Sequence, residues 1–330
     1  MANMNFRKLG KTNIKVSEIS LGTWQLGSQW GMPFSHEEAY KILDTASQLG
    51  INCLDTADVY QGGLSEKTIG EYIKTHDYKP FVITKVGRKL VEHTTKNYDE
   101  AHIRGYINDS RKNMGVDHLD MVLLHCPPSD AYDEPRIFKM MDQFVEQKII
   151  KHYGVSVETV EEALKAIEYP GVEAIEIIFN MFRLKPMEHF FKEAKKKNVG
   201  VIVRVPLASG LLTGRYHQKT VFNPNDHRTF NRHGESFDKG ETFSGVDYEL
   251  GLKAVHELKK TFDTENLAPI ALRWILMFDA VSTVIPGASK AEQVRQNTSA
   301  TLLPPLSQTE MREVERIYNQ YIKSSVHHLW

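Results

Sequence analysis

Three features of this 330-residue chain predict an α/β fold, a (β/α)8 TIM barrel with an N-terminal β-hairpin and a long loop after strand seven. Apolar strand-like segments alternate with helix-like stretches and reach eight, the number of a closed barrel. Successive strand ends fall near residues 55, 85, 125 and 156, intervals that fit one strand, one helix and two short loops. Three consecutive strand-like segments, 51–55, 81–85 and 121–125, run apolar and then stop at Asp55, Lys85 and His125. Packing gives a strand no reason to end that way, whereas the C-terminal rim of a barrel is where functional side chains converge.

The elements follow in order. Residues 5–20 alternate around Gly10-Lys11-Thr12-Asn13 as an antiparallel hairpin, placed to plug the barrel floor. Strand one is expected at 19–24, and a helix at 36–49 from the spacing of Ala39, Ile42, Leu43, Ala46 and Leu49. Ser35 and Glu38 form its capping box. Further strands are expected at 51–55, 81–85, 119–125, 150–156, 174–179, 199–205 and 281–285. Helices are expected at 65–75, 99–113, 135–147, 158–168, 186–197, 290–300 and 307–323, all within a single domain spanning 1–330. After strand seven a polar stretch from about Tyr216 to Gly245 has the character of a functional lid or a disordered loop.

Composition narrows the classes. Hydrophobic content of 41% and charged content of 25% are ordinary for a soluble globular chain, so a cytoplasmic protein with its own core is expected. A net charge of −1 offers no field for nucleic acid or an anionic membrane, and neither partner is expected. The start, Met1 to Lys8, has no apolar signal-peptide core, and no apolar run is long enough to span a bilayer. The two cysteines, Cys53 and Cys126, make no disulfide framework and are expected to fill core space in a reducing compartment. No set of strand-end His and Asp residues suggests a metal, so a metal-dependent barrel hydrolase is disfavoured.

The rim residues suit one kind of chemistry. Tyr60 lies in the loop leaving the strand that ends at Asp55. A phenol is a weak acid, with an ordinary pKa of about 10. An adjacent ammonium stabilises the phenolate and eases proton donation. An aspartate would hold that lysine charged, and an imidazole N–H could orient a carbonyl oxygen. Asp55, Tyr60, Lys85 and His125 together would protonate an oxygen on which negative charge develops.

Leu54-Asp55-Thr56-Ala57-Asp58-Val59-Tyr60, Thr84-Lys85, Leu124-His125-Cys126-Pro127, Gly154-Val155-Ser156, Pro206 to Gly214 and Ile285-Pro286-Gly287 run in an order that resembles the aldo-keto reductases, over nearly the whole chain. The likeness is to the bacterial branch similar to potassium-channel β-subunits. It implies an NADP(H)-dependent oxidoreductase that reduces an aldehyde or ketone by hydride transfer, with NAD(H) as the alternative cofactor and a small carbonyl compound as substrate. It implies Tyr60 as general acid, Lys85 as the residue lowering its pKa, Asp55 as partner of Lys85, and His125 as the group orienting the carbonyl. Trp24, Tyr60 and His125 would line the substrate pocket, with Trp30 in the same loop.

Cofactor contacts carried over by resemblance begin with Gly22, Thr23, Trp24 and Asp55. Ser156 matches a residue that binds the nicotinamide carboxamide, although Val157 replaces the usual Asn. Glu176 aligns with a usual Gln, with Asn180 close by. Arg204 replaces the aromatic that stacks on nicotinamide; it could stack, face an anionic substrate, or pair with Glu176. Pro206, Leu207, Ser209, Gly210, Leu211, Gly214 and Arg215 match the segment that wraps the pyrophosphate, where small residues let backbone N–H groups approach. Gly287, Ser289, Lys290, Gln293, Gln296 and Asn297 match the region holding the adenosine end, with Lys290 as the main 2′-phosphate contact and Arg215 its rival. A second function class, a redox-sensing regulatory subunit that binds the cofactor, shares the fold; the complete tetrad favours an enzyme.

Overall fold

The computed structural model describes residues 4–28 and 32–330, so the first three residues and the expected loop position of Trp30 lie outside the described part. Strands β1 (Phe6–Lys8) and β2 (Lys15–Ser17) form the antiparallel hairpin, paired Phe6 to Ser17 and Lys8 to Lys15. Eight parallel strands follow: β3 (Leu21–Gly22), β4 (Cys53–Asp55), β5 (Phe81–Val86), β6 (Leu119–His125), β7 (Ile150–Ser156), β8 (Ala174–Ile178), β9 (Gly200–Arg204) and β10 (Val281–Val284). They pair in sequence order, β3 through β10. Parallel bridges from Ile19 to Val284 and from Gly22 to Gly287 join the two edges, so the sheet closes on itself. Strand one is shorter than the expected 19–24, and at its end Gly22 passes so near the Ile285 carbonyl that a Cβ would sit 2.8 Å from it.

Helices α1 (His36–Gln48), α2 (Leu64–Thr75), α3 (Glu100–Met114), α4 (Pro135–Glu146), α5 (Val160–Ala166) and α6 (Phe190–Lys196) alternate with these strands. Beyond β9 come a single turn α7 (His227–Phe230) and then α8 (Tyr248–Thr261) and α9 (Ala268–Leu276). Helix α10 (Ala291–Thr298), α11 (Gln308–Tyr321) and the short α12 (Lys323–Val326) follow β10. The capping box expected at Ser35 is half made, since Ser35 accepts from the Glu38 N–H at 3.2 Å.

Apolar side chains divide into two layers. Leu9, Val16, Cys53, Ile83, Met121, Leu123, Ala174, Ile202 and Ile285 fill the inside of the barrel, and a larger cluster lies between strands and helices. Leu9 and Val16 come from the hairpin region, which therefore plugs the floor. A Cβ on Gly10 would come within 2.2 Å of the Gly200 nitrogen, so the chain touches the base of β9. Arg7 locks this plug in place by donating to the carbonyls of Leu276, Phe278 and Val281, while its Nε pairs with Glu18 at 2.6 Å.

Gly70 on α2 lies against the last turn of α3, where a Cβ would be 2.3 Å from the Met114 carbonyl oxygen. Gly105 on α3 is exposed and a Cβ there would meet nothing within 4 Å. Gly105→Ala should stabilise by about 0.5–1 kcal/mol through helix propensity and chain entropy. Gly70→Ala should reverse that sign and cost about 1–3 kcal/mol through overpacking. Urea unfolding of the two variants checks the contrast.

Candidate active site

Lys85, at the end of β5, has no solvent exposure, so its ammonium must be met within the protein. Its Nζ donates to both oxygens of Asp55, at 2.6 and 2.7 Å, and to the Thr56 carbonyl at 3.1 Å. The Tyr60 hydroxyl lies 3.4 Å away and Glu176 Oε2 also 3.4 Å away. Burial works against the ammonium, but Asp55 and Glu176 more than offset it and hold the Lys85 pKa above its ordinary value. Asp55 moves up as well, through burial and then through the nearby Glu176 charge, with Lys85 opposing.

Tyr60 follows β4 on a loop that turns through three left-handed residues, Gln61, Gly62 and Gly63, with φ of 51°, 62° and 90°. Its ring stacks on Trp24 at 6.2 Å between centroids and meets His125 edge-on at 6.2 Å. Burial pushes the phenol above its ordinary pKa, and Lys85 pulls it back. Lys85 favours the phenolate, as expected of the residue lowering its pKa, but desolvation is the larger effect and leaves the Tyr60 phenol above its ordinary value. His125 at the end of β6 is held well below the ordinary histidine range by burial, then by Arg88, Lys85 and Arg204, and is neutral. Its Nδ1 has no hydrogen-bond partner among the described residues.

Beside this group stands a second set of charges. Arg204 Nη2, at the end of β9, pairs with Glu158 at 2.7 Å and donates to the Val157 carbonyl at 3.0 Å, while its Nη1 is 3.4 Å from Glu241. Arg88 pairs with Glu241 at 2.6 Å and with Glu158 at 3.1 Å. Of the three readings for Arg204, an ion pair is what forms, with Glu158 and Glu241 rather than chiefly with Glu176, which is 4.0 Å from its Nε. Burial raises the Glu241 carboxyl, but Arg88 and Arg204 outweigh it and bring its pKa down to about 2. Glu241 belongs to the long polar stretch, so this segment is pinned across the rim. Ser209 Oγ donates to the Glu241 carbonyl at 2.9 Å, and Asn180 Nδ2 reaches Ser244 Oγ at 2.8 Å.

The backbone at the rim is held in unusual conformations. Cys126 directly after β6 has φ of 50°, and Val205 directly after β9 has φ of 50°. A β-branched residue at positive φ is a true outlier. Asn180 Nδ2 secures it by donating to the Val205 carbonyl at 2.9 Å. Such strain concentrates where surrounding structure dictates the backbone, as at functional sites.

A cavity of about 1090 Å³ opens over the rim, at the upper end of the range for small-ligand sites. Gly22, Trp24, Asp55, Tyr60, His125, Glu176 and Arg204 line its deep end. Pro206, Leu207, Ser209, Gly210, Arg215, Gly287, Ser289 and Gln293 continue the wall outward. Of the other expected residues, Lys85 stands behind Asp55, and Thr23 is buried with its hydroxyl on the Asp55 carbonyl at 2.8 Å. Ser156 gives its hydroxyl to Glu176 at 3.2 Å instead of to the cavity. Leu211, Gly214, Gln296 and Asn297 support the wall from behind, and exposed Lys290 is off it. Arg215 is on the wall and donates to Gln296 at 2.8 Å.

Sequence reading missed Arg88, Glu158, Glu241, His227 and Phe237, all on the cavity wall. Arg88 follows Lys85 by three positions, so the strand-end rule could have found it; Glu241 sits in an aperiodic loop with no such signal. Cys126 is buried as expected but lines the cavity, whereas Cys53 does fill the barrel interior.

Ala208, Ser209 and Gly210 all take positive φ, turning the backbone tightly at mid-wall, and a Cβ on Gly287 would meet nothing nearer than 3.9 Å. In its ionised form Glu176 would accept from a carboxamide and not donate to it. A metal fits less well: Cys126, Glu158 and Glu241 lie within ligand distance of one another, but Arg88 and Arg204 already neutralise both carboxylates.

The rim of the parallel barrel thus brings together a buried lysine, a tyrosine and a histidine. The model of the aldo/keto reductase family matches residues 18–319, and this chain belongs to that family. It is 26% identical to the uncharacterized oxidoreductase YqkF of Bacillus subtilis, over 94% of this chain and 96% of that one. It is 28% identical to a putative voltage-gated potassium channel subunit beta of Schizosaccharomyces pombe, over 96% and 94% of the two chains. The solved glycerol dehydrogenase AKR11B4 from Gluconobacter oxydans superposes with a TM-score of 0.78 at 24% identity, covering 96% of each chain. No helix among the described residues is long and apolar enough to cross a membrane.

His125 and His227 are both depressed by burial, His227 to about 4. A histidine neutral in the fold but able to charge when unfolded gives stability that is present above the unfolded pKa of about 6.5 and lost as pH falls. Histidine NMR from pH 8 to 5 should show both rings without titration, with thermal stability declining below about pH 6.5. Titration of His125 near its ordinary value would contradict its burial among Arg88, Lys85 and Arg204.

Proposed function

We propose that the protein is a single-domain cytoplasmic NADP(H)-dependent carbonyl reductase in which Tyr60 is the general acid. The observation that carries this reading is the buried Lys85, bound to Asp55 at 2.6 Å and facing the Tyr60 hydroxyl at 3.4 Å on the cavity side. A nicotinamide cofactor would supply the hydride, held by the wall from Gly22 and Glu176 through Ser209 and Gly210 to Ser289, Gln293 and Arg215. A carbonyl oxygen placed among Tyr60, His125 and Trp24 would receive the phenol proton. Negative charge appearing on the phenolate is stabilised at once by the ammonium, worth far more in this water-poor site than in solution. Neutral His125 would donate one N–H to the same oxygen, orienting it without adding charge. Trp24, stacked on Tyr60 and 5.2 Å from the His227 ring, shields the pocket from water.

Tyr60→Phe removes the transferable proton and leaves the ring stacking, so kcat should fall by ~10²–10⁴ with cofactor affinity retained. Lys85→Met should lose activity similarly, because the phenolate then has no counter-charge. Steady-state kinetics with NADPH against a panel of aldehydes and ketones tests both; activity within tenfold of wild type in Tyr60→Phe would remove it from the role.

The adenosine end gives a second expectation. Arg215 stands on the cavity wall and Lys290 does not. Arg215→Ala should therefore erode the preference for NADPH over NADH more than Lys290→Ala does, read as the ratio of kcat/KM for the two cofactors. The opposite order would restore Lys290 as the 2′-phosphate contact.

A further inference from the structure

Trp330 is only 3% exposed and is not on the cavity wall, yet its indole lies under the segment that delivers Glu241 to the rim. The edge of the ring meets that backbone on both sides of Glu241. A Cβ on Gly240 would come within 3.0 Å of the indole, and one on Gly245 within 2.8 Å. Two glycines thus let the chain rest directly on the ring.

The face of the same ring carries Arg183, whose Cζ stands 4.0 Å from the ring centroid. Arg183 is 1% exposed. Among the described residues its Nη2 donates to the Glu158 carbonyl, while its Nε and Nη1 make no hydrogen bond. The indole face is therefore a main counterpart of this buried cation, an interaction that gains strength out of water. A Cβ on Gly240 would also clash with Arg183 Nη1, so ring, guanidinium and backbone form one tight stack. The chain leading to Trp330 is tied down in turn: His327 Nδ1 lies 2.8 Å from the Tyr318 hydroxyl and its Nε2 3.2 Å from Glu188.

What rests on this stack is a charge. Although burial opposes it, Arg88 and Arg204 keep Glu241 ionised at neutral pH, and Glu241 in return occupies both guanidiniums, at 2.6 and 3.4 Å. Arg88 and Arg204 both line the cavity, so an anionic group entering there would compete with Glu241 for them.

We propose that Trp330 is a positioning residue that selects substrate by charge: from outside the cavity it holds Glu241 between Arg88 and Arg204, and so withholds the two guanidiniums from a substrate carboxylate. The proposal rests on the reductase reading and adds to it a preference for uncharged carbonyl compounds. Without the indole, Arg183 keeps a buried charge with too few partners, and the two glycines lose the surface beneath them. The segment then sinks into the vacated space and draws Glu241 off the arginines.

Two aldehydes of nearly equal shape test this, 4-carboxybenzaldehyde and the neutral 4-nitrobenzaldehyde. In Trp330→Ala the ratio of kcat/KM for the carboxylate over the nitro compound should rise about tenfold, mostly through KM, as befits an uncovered charge at close range. Glu241→Gln should raise the ratio similarly, and Trp330→Ala should add nothing to it in the double variant, because the tryptophan acts through Glu241. Trp330→Phe keeps a ring on Arg183 and should stay near wild type. A loss shared equally by both aldehydes in Trp330→Ala, as a merely structural tryptophan would give, or additive gains in the double variant, would overturn the proposal.

Hydrogen exchange on cofactor-free protein reads the anchor without turnover. The Glu241, Thr242 and Gly245 amides, bonded within the segment at 3.0, 3.1 and 2.9 Å, should exchange about tenfold faster in Trp330→Ala, while β5 and β6 keep their protection. Unchanged exchange in the segment would also overturn the proposal. If Trp330→Ala does not fold, Trp330→Leu supplies the same comparisons. Wild type inactive on every carbonyl would sink the reductase reading alone, and the exchange result would still decide the anchor.

Discussion

An ammonium sealed from water at the end of a strand is the constraint around which the rest of this structure is arranged. Lys85 can stay charged only if carboxylates come to it, and Asp55 and Glu176 do so from β4 and β8. That requirement fixes the lengths of three strands relative to one another, because an offset of one residue would turn a side chain to the other face of the sheet. Removing Lys85 or its close partner Asp55 leaves an uncompensated buried charge, which is far costlier than the pair is stabilising. Arg88, Arg204, Glu158 and Glu241 form a similar neutral set beside it. The floor of the cavity thus holds two charge clusters, one gathered from the ends of β4, β5 and β8 and one closed by Glu241 from the long segment after β9.

The long segment after β9 gains its place from the second cluster. Its sequence is polar and aperiodic, yet Glu241 is buried between two guanidiniums, and Phe237 and His227 approach Trp24 over the tyrosine. Arg183 extends the arrangement, its guanidinium lying 4.0 Å from the Trp330 ring, while Gly240 and Gly245 pass close to the same indole. Order in this loop comes from charge and aromatic contact with the barrel rather than from repeating backbone hydrogen bonds.

The barrel, the hairpin plug and the rim location of Asp55, Tyr60, Lys85 and His125 were legible in the sequence because strand and helix periodicity is local, and because a polar residue closing an apolar strand stands out. Helix α8 went unassigned inside the long interval after strand seven, although Ala254, Val255 and Leu258 give it a buried stripe. The partner of Arg204 was not legible, since Glu241 reaches it from a loop with no pattern to extrapolate. Gln293 Oε1 accepts from the Ser289 and Lys290 N–H groups at 2.7 and 3.1 Å, a local closure of the helix start that no spacing in the sequence records. The direction of the Tyr60 shift depended on desolvation, which no spacing rule records.

The seam between β3 and β10 adds a constraint on how the protein is made. Ser20 and Gly22 donate to the carbonyls of Val284 and Pro286, groups separated from them by most of the chain. Until the ribosome has released that distant segment, the first strand has an open edge and the barrel has a gap. Gly22 and Gly287, which meet across the seam, both line the cavity. A nascent chain therefore has no ligand pocket through most of its synthesis, and small molecules cannot assist its folding by binding until the ring is shut. Over that period its exposed strand edge is a natural target for chaperones and for pairing with other unfinished chains.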